Sequence, residues 1–173
     1  MIKYIIKDMT EALHYLPCGL IVGVIAAFFL HVLNITRRKK GRKPLSIWAL
    51  TCLFVYMAII FGITFWSRES GSRNKIDMEL FATWGINARN NAFVIENVLL
   101  FIPYGFLMAW NIKGVRNLFT SLLVGLFSSL CIETMQLLTE RGYFQVDDIL
   151  TNTLGMLLGT CLFHVVCRWR KMT

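Results

Sequence analysis

The sequence predicts an all-α integral membrane protein with about five transmembrane helices preceded by a short N-terminal interfacial helix. Two observations carry this. Of 173 residues, 56% are hydrophobic and only 16% charged, with a mean hydropathy of +0.58, whereas about a quarter of an ordinary soluble domain is charged. The apolar residues also fall into five stretches, each long enough to cross a hydrocarbon core as a helix.

Met1 to Tyr15 places Ile2, Ile5, Ile6, Met9 and Leu13 on one helical face and Lys3, Lys7, Asp8, Thr10 and Glu11 elsewhere. This pattern suits a helix lying in the membrane interface. Leu16 to Ile35 is the first span, with Gly19, Gly23 and Ala27 spaced for close packing. A cleaved signal is not expected, because the apolar run is long and ends in RRKKGRK. Leu45 to Trp66 is the second span, opened by Pro44. Ser67 to Asn91 is polar apart from Leu80 to Trp84, a patch suited to the interface. Phe93 to Trp110 is the third span, with a kink expected at Pro103. Leu118 to Leu138 is the fourth and Ile149 to Val166 the fifth. Trp66, Trp84, Trp110 and Trp169 fall at predicted interfaces and read as belt anchors.

Alternating spans put eleven Lys and Arg on one side: six in the RRKKGRK loop, then Lys113, Arg116, Arg168, Arg170 and Lys171. That side carries no Asp or Glu. The other seven, Lys3, Lys7, Arg68, Arg73, Lys75, Arg89 and Arg141, are interleaved with acids on the opposite side. The positive-inside rule then sets the C-terminus in the cytoplasm and the N-terminus outside. The net charge of +8 is thereby explained by topology, and nucleic acid is not an expected partner. Cys18, Cys52, Cys131, Cys161 and Cys167 all lie in or beside apolar segments, with no zinc-like spacing, so they read as packing residues. His14, His31 and His164 have no visible partner in the sequence and read as structural. No metal site or cofactor is expected.

The polar residues within the spans converge on one end. Arg68 closes span two, Asn97 opens span three, Glu133 and Gln136 close span four, and Asp147, Asp148 and Asn152 open span five. A carboxylate in lipid costs about 3 kcal/mol, so scattered incidental polarity would not choose one end in four helices. Glu133 and Gln136 share one helical face, as do Asp148, Asn152, Gly155 and Gly159. Gly155 with Gly159, and Gly125 with Ser129, form small faces for close helix contact. An outward-facing polar pocket is expected, with Arg68, Asn97, Glu133, Gln136, Arg141, Asp147, Asp148 and Asn152 as candidate ligand-binding residues. Each also has a structural reading: Glu133 and Gln136 as an interhelical clasp, Asp147 and Asp148 as helix caps, Asn97 and Asn152 as interhelical glue.

Asn97 to Gly105 (NVLLFIPYG), Glu133 to Gln136 (ETMQ) and Arg141 to Gly155 (RGYFQVDDILTNTLG) together resemble the VanZ-like family. The resemblance runs from about Thr64 to Gly159 and carries over Arg68, Asn97, Phe101, Pro103, Gly105, Glu133, Gln136, Asp148, Asn152, Gly155 and Gly159. Pro103, Gly105, Gly155 and Gly159 are the structural members of that set. Gln145 departs from the pattern, standing where members often have Asp. The resemblance implies a role in lowering susceptibility to teicoplanin-type, lipid-tailed glycopeptide antibiotics. It divides the chain into residues 1–43, with the interfacial helix, first span and basic cytoplasmic loop, and residues 44–173, a VanZ-like four-helix membrane domain.

The expected protein is therefore a multi-pass component of a bacterial cell membrane. Its expected partners are membrane lipids and a lipid-linked envelope precursor or lipoglycopeptide, bound or modulated through the outer pocket. A membrane-embedded enzyme using Glu133 and Asp148 as acid and base is the alternative, although no GxSxG, Cys/His pair or metal set supplies a nucleophile. A structural assembly partner is the third reading.

Overall fold

The computed structural model describes residues 1–71, 75–81 and 83–169; Arg73, Arg170 and Lys171 of the charge argument, and Ala82 in the Leu80 to Trp84 patch, lie outside them. Among the described residues there are six α-helices: α1 (Ile2–Glu11), α2 (Leu16–Lys39), α3 (Ile47–Phe61), α4 (Ala88–Asn111), α5 (Leu118–Leu138) and α6 (Val146–Trp169). Among the described residues, five helical stretches are long and apolar enough to cross a membrane. Their hydropathy is what makes them helices, because in hydrocarbon each backbone N–H must find its acceptor within the segment.

A 3-10 turn, Ala12–Tyr15, joins α1 to α2, so helical backbone runs for 38 residues from Ile2 to Lys39. At about 1.5 Å per residue that length is roughly twice a ~30 Å hydrocarbon core, so part of it lies beyond the core. No residue of α1 is buried. It rests against the N-terminal end of α4, where Asp8 pairs with Arg89 at 2.9 Å.

α4 and α6 pack most intimately, with α5 against α6, α3 against α4, and α2 outermost against α3. Glycine permits the α4–α6 contact. A Cβ at Gly159 would collide with the Ile102 carbonyl oxygen and sit 2.8 Å from the Phe106 nitrogen. One at Gly155 would strike the Val98 carbonyl, and one at Gly105 the Met156 carbonyl. Small residues therefore let two helix backbones touch. Phe101, Tyr104 and Met156 fill the core around this contact. Ser121 and Thr160 are hydrogen-bonded at 2.8 Å between α5 and α6.

Asn87 and Asn117 set the starts of α4 and α5 by accepting the first free backbone N–H groups. α4 continues through Pro103, whose side chain is exposed. At the other end of α3 the helix widens into a π-turn, Gly62–Trp66, in which the Ser67 N–H reaches the Gly62 carbonyl at 3.0 Å. Gly62 has no room for a Cβ because the Tyr15 ring lies against it. Two short strands, β1 (Ile76–Asp77) and β2 (Phe144–Gln145), pair in parallel and tie the loop after α3 to the α5–α6 connection.

Candidate functional site

The C-terminal ends of α3 and α5 and the N-terminal ends of α4 and α6 meet, and their polar residues form a connected cluster. Glu133 and Gln136 are each only 2% exposed on α5. Glu133 Oε2 accepts the backbone N–H of Gln145 at 3.0 Å, which fastens β2 across the cluster. Gln136 donates through Nε2 to the Thr64 carbonyl at 3.1 Å, linking α5 to the π-turn. Asn152 donates to the Ser129 hydroxyl at 2.9 Å. Asp148 lies within hydrogen-bonding reach of Asn97 and electrostatic reach of Arg68, which also faces Glu133. Gly142 gives this guanidinium its place, since a Cβ there would sit 2.6 Å from Arg68 Nη1 and 3.0 Å from Gln136 Oε1.

Arg68, Asn97, Glu133, Gln136, Asp148 and Asn152 are thus brought together. Arg141 and Asp147 engage backbone instead. Arg141 Nη1 donates to the carbonyls of Phe65 and Arg68, both at 2.8 Å, closing the end of the π-turn. Asp147 accepts the N–H groups of Phe81 at 2.6 Å and Thr83 at 2.9 Å, holding the loop that precedes α4. Neighbouring residues on a helix point about 100° apart, and so adjacent aspartates serve different partners.

A cavity of about 640 Å³ lies beside this cluster, walled by α1, the 3-10 turn, the π-turn and α4. Arg68, Asn97 and Thr64 line it, together with four charged residues that the sequence did not place there: Asp8, Glu11, Arg89 and Glu96. Glu96 is within hydrogen-bond reach of Asp8, while its Oε1 is buried without a hydrogen-bond partner. The Arg89 guanidinium is held against the Tyr4 and Phe93 rings, at 5.1 and 4.5 Å from their centroids. The signal for Glu96 was present in the sequence as an acid inside FVIENVLLFI, since an intramembrane carboxyl is costly without a purpose.

A second, apolar hollow of about 270 Å³ lies between α3, α4 and α5. Its rim residues Met57, Phe61 and Phe127 are exposed, so it opens sideways rather than along the helix axes. Thr64 lines both spaces. Among the described residues no His, Cys, Asp and Glu cluster is arranged to hold a metal ion, and all five cysteines are unbridged.

Comparison with known proteins agrees with the motifs. No solved structure matches the chain. Protein VanZ of Enterococcus faecium is 38% identical over 72 residues, 40% of this chain and 43% of that protein. The matched segment thus spans less than half the length of that relative. The VanZ/LLP1 family model matches residues 47–167, well over half of the chain and all of α3 to α5 with most of α6, and the chain therefore belongs to the VanZ/LLP1 family.

Proposed function

We propose that the protein binds a lipid-linked or lipid-tailed envelope component at the outer leaflet of a bacterial membrane, and by holding or modulating it lowers susceptibility to teicoplanin-type glycopeptides. The observation that supports this reading is a polar cavity and a lateral apolar hollow that share Thr64 as a lining residue. A soluble polar ligand has no use for the second space, and a plain hydrocarbon has none for the first. The outward orientation rests on the excess of Lys and Arg at the opposite helix ends, and the phenotype on the VanZ resemblance.

The test uses Glu133→Gln, Asp148→Asn and Arg68→Gln in a teicoplanin-sensitive host. Each replacement keeps side-chain shape or reach while removing charge. Susceptibility returning to that of the host without the protein, at unchanged membrane abundance, is the expected result. Full protection from all three variants would overturn a charged outer site. Loss of protection together with loss of protein would leave only a structural clasp. An acid–base enzyme is the second reading, favoured by the closeness of Glu133, Asp148 and Arg68. Turnover of the bound component, rather than its retention, distinguishes the two.

A further inference from the structure

The chain carries a net positive charge, but its charge is distributed so that the pocket is the acidic end. All ten Asp and Glu lie on the side of the sequence that forms the pocket, against seven Lys and Arg. Within the pocket the two guanidinium groups already have carboxylates: Arg89 pairs with Asp8, and Arg68 faces both Glu133 and Asp148. The surplus is of acceptors. Glu96 adds a carboxylate beside Asp8, with Oε1 buried and unpartnered.

Buried acceptors without donors are costly, and closely spaced carboxylates repel one another. Both penalties are relieved by one kind of guest, a group that is positively charged and rich in N–H donors. An arriving anion would instead have to take an arginine from its carboxylates and leave these uncompensated. The Tyr15 ring at the cavity wall adds an aromatic surface that favours a cation.

We propose that the pocket recognises an amine-bearing amphiphile, with its ammonium group held by Glu96 and Asp8 and its chain in the hollow between α3 and α5. This rests on the lipid-binding reading above and assigns it a chemical class. Three probes of equal chain length separate the possibilities: dodecylammonium, dodecanol and dodecyl phosphate, each titrated against the full-length protein in a neutral detergent by native mass spectrometry. Dodecylammonium is expected to bind about tenfold tighter than dodecanol, the gain of roughly one charge-assisted hydrogen bond, and dodecyl phosphate weaker than either.

Glu96→Gln is expected to erase the preference while retaining the chain-dependent binding of dodecanol. Glu96→Asp, which keeps the charge, is expected to restore part of it. Equal binding of all three probes, a preference for dodecyl phosphate, or an amine preference undiminished in folded Glu96→Gln would overturn the amine assignment but leave lipid binding standing. Binding of none of the three by the wild-type protein would overturn both. The wild-type comparison decides the question without any variant.

Discussion

Replacing Gly159 by alanine adds one methyl group at the tightest point of the α4–α6 contact. That methyl would fall inside contact distance of the Ile102 carbonyl oxygen, 2.8 Å from the Phe106 nitrogen and 3.0 Å from the Gly105 Cα. Ordinary carbon contacts lie at about 3.5–4.0 Å, so the helices must part by roughly an ångström. Backbone cannot rotate out of the way as a side chain can. Overpacking of this kind costs about 1–3 kcal/mol, and the upper end is expected because every obstructing atom is main chain. At about 2–4 °C per kcal/mol for a chain of this size, the midpoint should fall by roughly 6–12 °C. Gly125→Ala is the intermediate case, since its methyl would meet the flexible Met156 side chain at 3.0 Å. Gly114→Ala, with nothing within 4 Å, is the control. Thermal unfolding of the three variants in one detergent should rank them in that order. Equal midpoints for Gly159→Ala and Gly114→Ala would refute direct backbone contact between α4 and α6.

Four further outcomes are expected. In a cysteine-free background, Glu79→Cys should react with a membrane-impermeant maleimide on intact cells and Lys40→Cys should not; the reverse would turn the pocket toward the cytoplasm. Arg141→Met removes two donors from the Phe65 and Arg68 carbonyls and should cost about 2–3 kcal/mol, read as a lowered unfolding midpoint. Asp147→Ala frees the Phe81 and Thr83 N–H groups, so limited proteolysis should cut faster between residues 75 and 87 while the helices stay intact. Cys131→Trp should fill the lateral hollow and weaken long-chain probes by about tenfold or more, on the ~0.8 kcal/mol scale of each buried methylene, with little change for ethylammonium.

The spans were legible because lipid leaves an apolar segment of that length few choices other than a helix. Leu118–Leu138 has the bounds that hydropathy gives it. α4 starts five residues before its apolar run because Asn87 supplies a cap, a local hydrogen bond that hydropathy does not weigh. The meeting of Arg68, Asn97, Glu133 and Asp148 was legible from alternation alone, which puts their helix ends on the same side. The parts played by Arg141 and Asp147 depend on which way a loop folds back, and no periodicity records that. Asp8 and Glu96 are 88 positions apart in sequence and meet only because the turn at Ala12–Tyr15 lays α1 over α4. The extra residue in the Gly62–Trp66 turn likewise has no signature beyond a glycine against a tyrosine ring.

The sideways mouth between Met57, Phe61 and Phe127 also fixes the dimension in which a guest arrives. A molecule entering there travels within the bilayer plane, where its concentration is set by its mole fraction among lipids and not by its amount in the surrounding water. Occupancy by mass action would then follow surface density. Diluting a suspension at constant membrane composition should leave a strongly membrane-partitioned guest bound, whereas adding empty lipid should strip it away.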